Sequence, residues 1–177
     1  DETDLVAACR QFATEIAPFR IEGLNVNRLG KFLALTPGRP QPDLSAFAAL
    51  CVRHFEPFRA PLSEADLERR RKSGLTPKQD RYLTGWGYPY IFDELRFHMT
   101  LSNKLENEDE ANALASAAKT HFSEVTGRER LCTSFALYQE PERGAPFDVH
   151  TVFLLSGTRP VGSAEIPAAR PIDRENA

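Results

Sequence analysis

His98 and Thr100 stand two residues apart in the stretch ELRFHMTLSN, Glu94 to Asn103. An imidazole can take or give a proton near neutral pH. A threonine hydroxyl can donate a hydrogen bond to a phosphoryl oxygen. The flanking residues alternate, with Leu95, Phe97, Met99 and Leu101 set against Arg96, His98, Thr100 and Ser102. That pattern predicts a half-buried β-strand over 94–103, with His98 and Thr100 on one side and about 6.5–7 Å apart. In-line displacement at phosphorus needs a base on one side and an acid on the other. This pair does half of that work, and a second histidine from a facing strand must do the rest. The plainer reading makes both residues the solvent side of a strand, where threonine is favoured and histidine tolerated.

The remaining histidines fit structural roles better. His54 and His121 each adjoin a phenylalanine near a helix end, as interface or capping residues. His150 is followed directly by Thr151, so regular strand geometry turns the two to opposite sides. Arg96 shares the polar side with His98 and Ser102, and either neutralises an anionic substrate group or pairs with a nearby acid. Trp86, Tyr88 and Tyr90 in GWGYPY either wall the site and stack on a sugar or base, or pack down on the core as a lid. The run ERRRK, Glu68 to Lys72, reads as a solvated helix end whose cations suit the C-terminal dipole.

Several elements must position these groups. Helical spacing covers residues 2–16, 43–58 and 107–125. Strand signals cover KFLALT and the segment before it, joined by a turn near Leu29–Gly30, and also RLCTSFALYQ and FDVHTVFLLS. Ser63 with Asp66, and Thr76–Pro77 with Gln79, start two short helices in a polar insertion. The order is α-β-β-α, an α-α insertion, then β-α-β-β. This predicts an α+β fold of two pseudo-symmetric β/α lobes with antiparallel sheets around a central groove. The first lobe spans 1–60, the helical insertion and aromatic loop 61–90, the second lobe 91–156, and a loosely ordered tail 157–177. If the halves are duplicates, the first lacks a leading strand, which is then expected upstream of Asp1.

The chain has 177 residues, 41% of them apolar and 27% charged, with a net charge of −3. Nothing in that balance suits duplex nucleic acid. No apolar run reaches the roughly 18–20 residues of a membrane span. Cys9, Cys51 and Cys132 are odd in number and far apart, which predicts reduced thiols in a cytoplasmic protein. No cysteine–histidine set has metal-ligand spacing, and no cofactor is expected.

The run LRFHMTLSNKL, Leu95 to Leu105, resembles the second H-x-T motif of the 2H phosphoesterase superfamily, the LigT-like and cyclic phosphodiesterase-like proteins. With LTPKQ and WGYPY it is further similar to a branch of that superfamily usually encoded beside phosphonate-degradation genes. The likeness covers roughly residues 5–155. It implies two lobes that each give one H-x-T strand to a central groove, with no metal required. It also implies action on a cyclic phosphate or a 2′-phosphodiester. Of the catalytic residues it assigns His98 and Thr100 here, and it places the first motif upstream of Asp1. The expected substrate is a small phosphorylated molecule, a ribose cyclic phosphate or a nucleotide. Two other functions fit the same residues: a non-catalytic protein that binds a nucleotide or RNA end, and a structural subunit of a phosphonate-degrading assembly.

Overall fold

The computed structural model describes residues 1–163, so the part of the expected tail from 164 onward lies outside the described residues. In chain order the elements are α1 (Glu2–Glu15), β1 (Phe19–Ile21), β2 (Leu24–Leu29), β3 (Phe32–Pro37), α2 (Pro42–Phe55), α3 (Glu64–Arg71) and α4 (Pro77–Trp86). They continue with β4 (Met99–Thr100), α5 (Glu108–His121), β5 (Arg130–Cys132), β6 (Ser134–Gln139) and β7 (Asp148–Leu154). The architecture is α+β, with antiparallel pairing of β2 with β3, β3 with β4 and β6 with β7.

Local chemistry sets the helix starts. Thr76 and Gln79 form a reciprocal capping box, and Pro77 fills the first turn, where its missing N–H costs nothing. The Ser63 side chain accepts from Asp66 N–H, and that of Asn107 from Glu110 N–H. Between β2 and β3, Gly30 takes φ +58°, a left-handed conformation that a two-residue hairpin loop requires and that glycine adopts without a side-chain clash.

The chain forms two compact units, each drawing on both halves of the sequence. The first takes Asp1–Phe19, Asp43–Leu95 and the described residues from Thr133 on. Its core is aromatic. The Phe12 ring lies 5.8 Å from Phe47, 5.5 Å from Phe55 and 5.6 Å from Phe135, and Phe135 stacks on Phe153 at 5.3 Å. His54 belongs to this cluster, 4.9 Å from Phe12. One face of the β6–β7 hairpin packs on α1 through Phe135, Leu137 and Phe153, while Tyr138, Val149, Val152 and Leu154 on the other remain exposed. The stretch from Gly157 is not loose at its start. Gly157 N–H donates to Ile16 carbonyl, Arg159 N–H to Glu15 carbonyl and Ala17 N–H to Arg159 carbonyl, and Val161 is buried. A tie made by isolated backbone bonds leaves no periodicity in the side chains, so hydrophobic patterning passes over it.

The second unit takes Arg20–Pro42 and Arg96–Cys132. Its centre is the three-stranded sheet in the order β2-β3-β4. Leu33 on the inner face packs with Leu105 and Ala111, supported by Leu101 and Ala115, so α5 covers that face. Burying a residue of this size contributes about 1.5–3 kcal/mol. Arg28 fastens the start of α5 to β2 by donating from both terminal guanidinium nitrogens to Glu108, one bond being 2.7 Å. The run expected as one strand over 130–139 breaks at Thr133, with β5 pairing to β1 and β6 to β7.

Candidate functional site

The strand expected over 94–103 is much shorter. Only Met99 and Thr100 pair, with Leu35 and Ala34 respectively. Beyond Thr100, Leu101 N–H still reaches Leu33 carbonyl at 2.8 Å, but Leu33 N–H donates to the Ser102 hydroxyl at 3.0 Å. That side chain takes the place of a backbone carbonyl, and the ladder ends there. Ser102 thus serves the backbone rather than the polar face. Met99, expected on the buried side, is half exposed.

The pairing nevertheless sets His98 and Thr100 on a definite surface. Residues directly opposite in an antiparallel pair share a face, so Thr100, Ala34 and Asn27 form one row across three strands. Phe32 and Thr36 flank Ala34 on the same face by the two-residue alternation of β3, and Asn25 lies opposite Thr36. The His98 ring lies 5.8 Å from that of Phe32. Phe32 precedes Ala34 by two residues on β3, so the His98 ring meets the sheet at a residue of this same face. Ala34 is fully buried, whereas His98, Thr100 and Asn27 are exposed. This polar face is the one turned away from α5.

The imidazole is oriented. His98 Nδ1 lies 2.7 Å from the Arg96 carbonyl oxygen. A carbonyl only accepts, so Nδ1 carries the hydrogen and Nε2 of the neutral ring presents its lone pair. Nε2 has no partner among the described residues. The surface therefore combines an aimed proton acceptor with a hydroxyl donor on the edge strand.

Arg96 contributes its carbonyl to that bond, and its exposed guanidinium makes no ion pair among the described residues. Tyr88 and Tyr90 belong to the first unit, are 45% and 40% exposed, and meet edge to face at 5.8 Å. Arg70 lies over the Tyr88 ring at 5.1 Å. Trp86 instead packs on Phe92, which also receives the guanidinium of Arg53 at 4.7 Å. The aromatic loop thus divides: Trp86 packs inward, and the two tyrosines stay open.

Of the other histidines, His121 pairs with the Phe122 ring at 4.8 Å at the end of α5. His150 departs from regular strand geometry. The β6–β7 register shifts between Leu137 and Tyr138, which leaves His150 as the extra residue of a bulge. Its Nδ1 lies 2.9 Å from Thr151 Oγ1, and its Nε2 lies 3.0 Å from Glu2 Oε1. It lines a cavity of about 420 Å³ with Leu5, Phe58 and Tyr138. Sequence reading passed over Phe32, Ala34, Asn27 and Thr36. Alternation in LNVN signals that Asn25 and Asn27 share a face, but only long-range register places that face beside Thr100.

Two relatives bear the name ribose 1,5-bisphosphate phosphokinase PhnN. One, from Janthinobacterium sp. (strain Marseille), is 33% identical over 150 residues, which is 83% of this chain and 33% of that protein. The other, from Laribacter hongkongensis (strain HLHK9), is 32% identical over 146 residues, 82% of this chain and 33% of that protein. The chain spans a third of the length of the curated relatives it matches. No solved structure matches it. The family model described as "Protein of unknown function (DUF1045)" matches residues 1–148, which include the H-x-T strand, the row on its sheet face and the aromatic loop, and the chain belongs to that family.

Proposed function

We propose that this protein is a phosphoesterase of the 2H type that opens a small cyclic phosphate on a ribose. The observation that carries this reading is the hydrogen bond from His98 Nδ1 to the Arg96 carbonyl, which leaves Nε2 as a proton acceptor on the face that carries Thr100. In the reaction Nε2 takes a proton from water as its oxygen bonds to phosphorus. The ring P–O bond on the far side breaks, and the departing oxygen receives a proton from a second acid. Thr100 donates to a phosphoryl oxygen as charge develops there. Run in the other sense, a protonated His98 is the acid. Reactions of this type in the resembled superfamily need no metal.

The relatives' printed name adds a chemical link. Opening a cyclic phosphate on a ribose that already carries one phosphate leaves a ribose bisphosphate, the class of compound that name gives as a kinase substrate. We place the activity in phosphonate breakdown on the strength of the branch resemblance and these relatives. The kinase name itself assigns no residue here, because this chain contains no G-x-x-x-x-G-K-S/T run of the kind that cradles nucleotide phosphates.

The test uses the complete natural protein with EDTA present and 2′,3′-cyclic AMP or a ribose cyclic phosphate as substrate. Hydrolysis that falls by about 10²–10⁴-fold in His98→Ala is the expected result. Undiminished activity in that variant removes His98 from the mechanism. Saturable binding with no product after long incubation makes the protein a binder instead.

A further inference from the structure

The face that presents His98 and Thr100 continues across β3 to a second set of polar groups for which the chemistry above has no use. Asn27 lies in the same row as Thr100, with Ala34 between them. Two inter-strand steps separate their backbones, about 9.5 Å, a span that suits a five-carbon sugar ester. Asn27 Nδ2 donates to Thr36 Oγ1 at 2.7 Å and approaches the Asn25 carbonyl at 3.4 Å. Asn27 Oδ1 accepts no hydrogen bond among the described residues, and Asn27 is exposed although its amide is tied down. The Thr36 oxygen accepts from Asn27, which leaves its own hydrogen available to donate. One oriented acceptor and one available donor thus lie side by side, a pairing that matches the two roles of a sugar hydroxyl. A phosphate calls for cations and donors alone, so an outward carboxamide oxygen is wrong for an anion and right for an alcohol.

We propose that Asn27 and Thr36 form the sugar-hydroxyl subsite of this protein, selecting a polyhydroxylated ester over a bare phosphate ring, with Thr100 at the phosphoryl end. The assignment rests on the phosphoesterase reading for the identity of that end. Its own evidence is the Asn27–Thr36 bond and the shared row.

Two probes separate the two ideas. Calorimetric titration of the complete natural protein with ribose 5-phosphate and with inorganic phosphate reads the subsite without any turnover. Asn27→Leu and Thr36→Val are each expected to weaken ribose 5-phosphate by about tenfold while leaving inorganic phosphate unchanged, which also confirms that the variants are folded. Equal affinity of the wild type and both variants for ribose 5-phosphate overturns the subsite. So does a wild type that binds ribose 5-phosphate no better than phosphate. Hydrolysis that depends on His98 without this contrast leaves the phosphoesterase reading standing and the subsite refuted. The contrast without hydrolysis does the reverse.

Discussion

His98 donates its Nδ1 hydrogen to the carbonyl oxygen of Arg96, a residue two positions earlier in the same strand entry, at 2.7 Å. A local bond of this kind sets both the tautomer and the direction of the ring without help from a neighbouring side chain. The expected outcome is a neutral His98 held as the Nδ1–H form, observed as an Nδ1-bound proton and an unprotonated Nε2 in a long-range ¹H–¹⁵N correlation spectrum at alkaline pH. Finding the Nε2–H form instead points the lone pair at Arg96 and away from any substrate, and contradicts the proposed mechanism.

Ala34 stands two residues from Phe32, whose ring meets that of His98. It is completely buried and lies between Phe32, Thr100 and Asn27. Leucine at this fully buried position must displace its neighbours, Phe32 and through it the His98 ring among them, an overpacking that costs about 1–3 kcal/mol. A misplaced proton acceptor costs far more in rate, on the order of 10²-fold per ångström. Ala34→Leu is therefore expected to remove most turnover while lowering the melting temperature only modestly. Thermal melts and steady-state rates on the same sample check this, and a fully active Ala34→Leu shows that the His98 ring does not depend on a small residue here.

Helix positions were legible because their signals are local: Thr76, Pro77 and Gln79 start α4, and Asn107 starts α5, within four residues of sequence. The H-x-T strand was legible as an extended segment but not in its extent. Strong alternation over Leu95 to Ser102 cannot reveal that only Ala34 and Leu35 pair with it, or that Ser102 ends the ladder with its hydroxyl. The same limit hid the Asn27 row, which exists only through the register of β2, β3 and β4. At His150 the alternation rule failed outright. A bulge brings His150 and Thr151 side chains to 2.9 Å where a regular strand sends neighbours apart.

The Arg28–Glu108 pair gives acid stability a definite sign. The Arg28 hydrogen bonds, and then its charge, hold the Glu108 carboxyl below the ordinary carboxylate range. A depressed folded value means that the contribution is present above the unfolded value, about 4.3, and is lost as pH falls through the folded one. Glu108→Gln is thus expected to be less stable than the wild type at pH 7, with the gap closing as pH falls below about 4. The Glu108 side chain is 71% exposed, so added salt should shrink the gap at pH 7. Denaturant titrations at pH 7 and pH 3 check it, and a gap that widens in acid refutes the sign.

Gly157 tests whether the residues after β7 belong to the fold. Its N–H donates to the Ile16 carbonyl at 3.0 Å, and a Cβ at this position would lie 2.1 Å from the carbonyl carbon of Glu15. That neighbour is backbone at the end of α1, so no side-chain rotation relieves the contact. Gly157→Ala must either shift α1 or release the bridge between Ile16 and Arg159, and with it the buried Val161. The expected cost is about 1–3 kcal/mol, the range for forced overpacking. It should appear in denaturant titration together with faster amide exchange at Ala17 and Arg159, whose hydrogen bonds close the bridge. A Gly157→Ala variant as stable as the wild type, with Ala17 and Arg159 equally protected, shows that this close approach does not hold the segment.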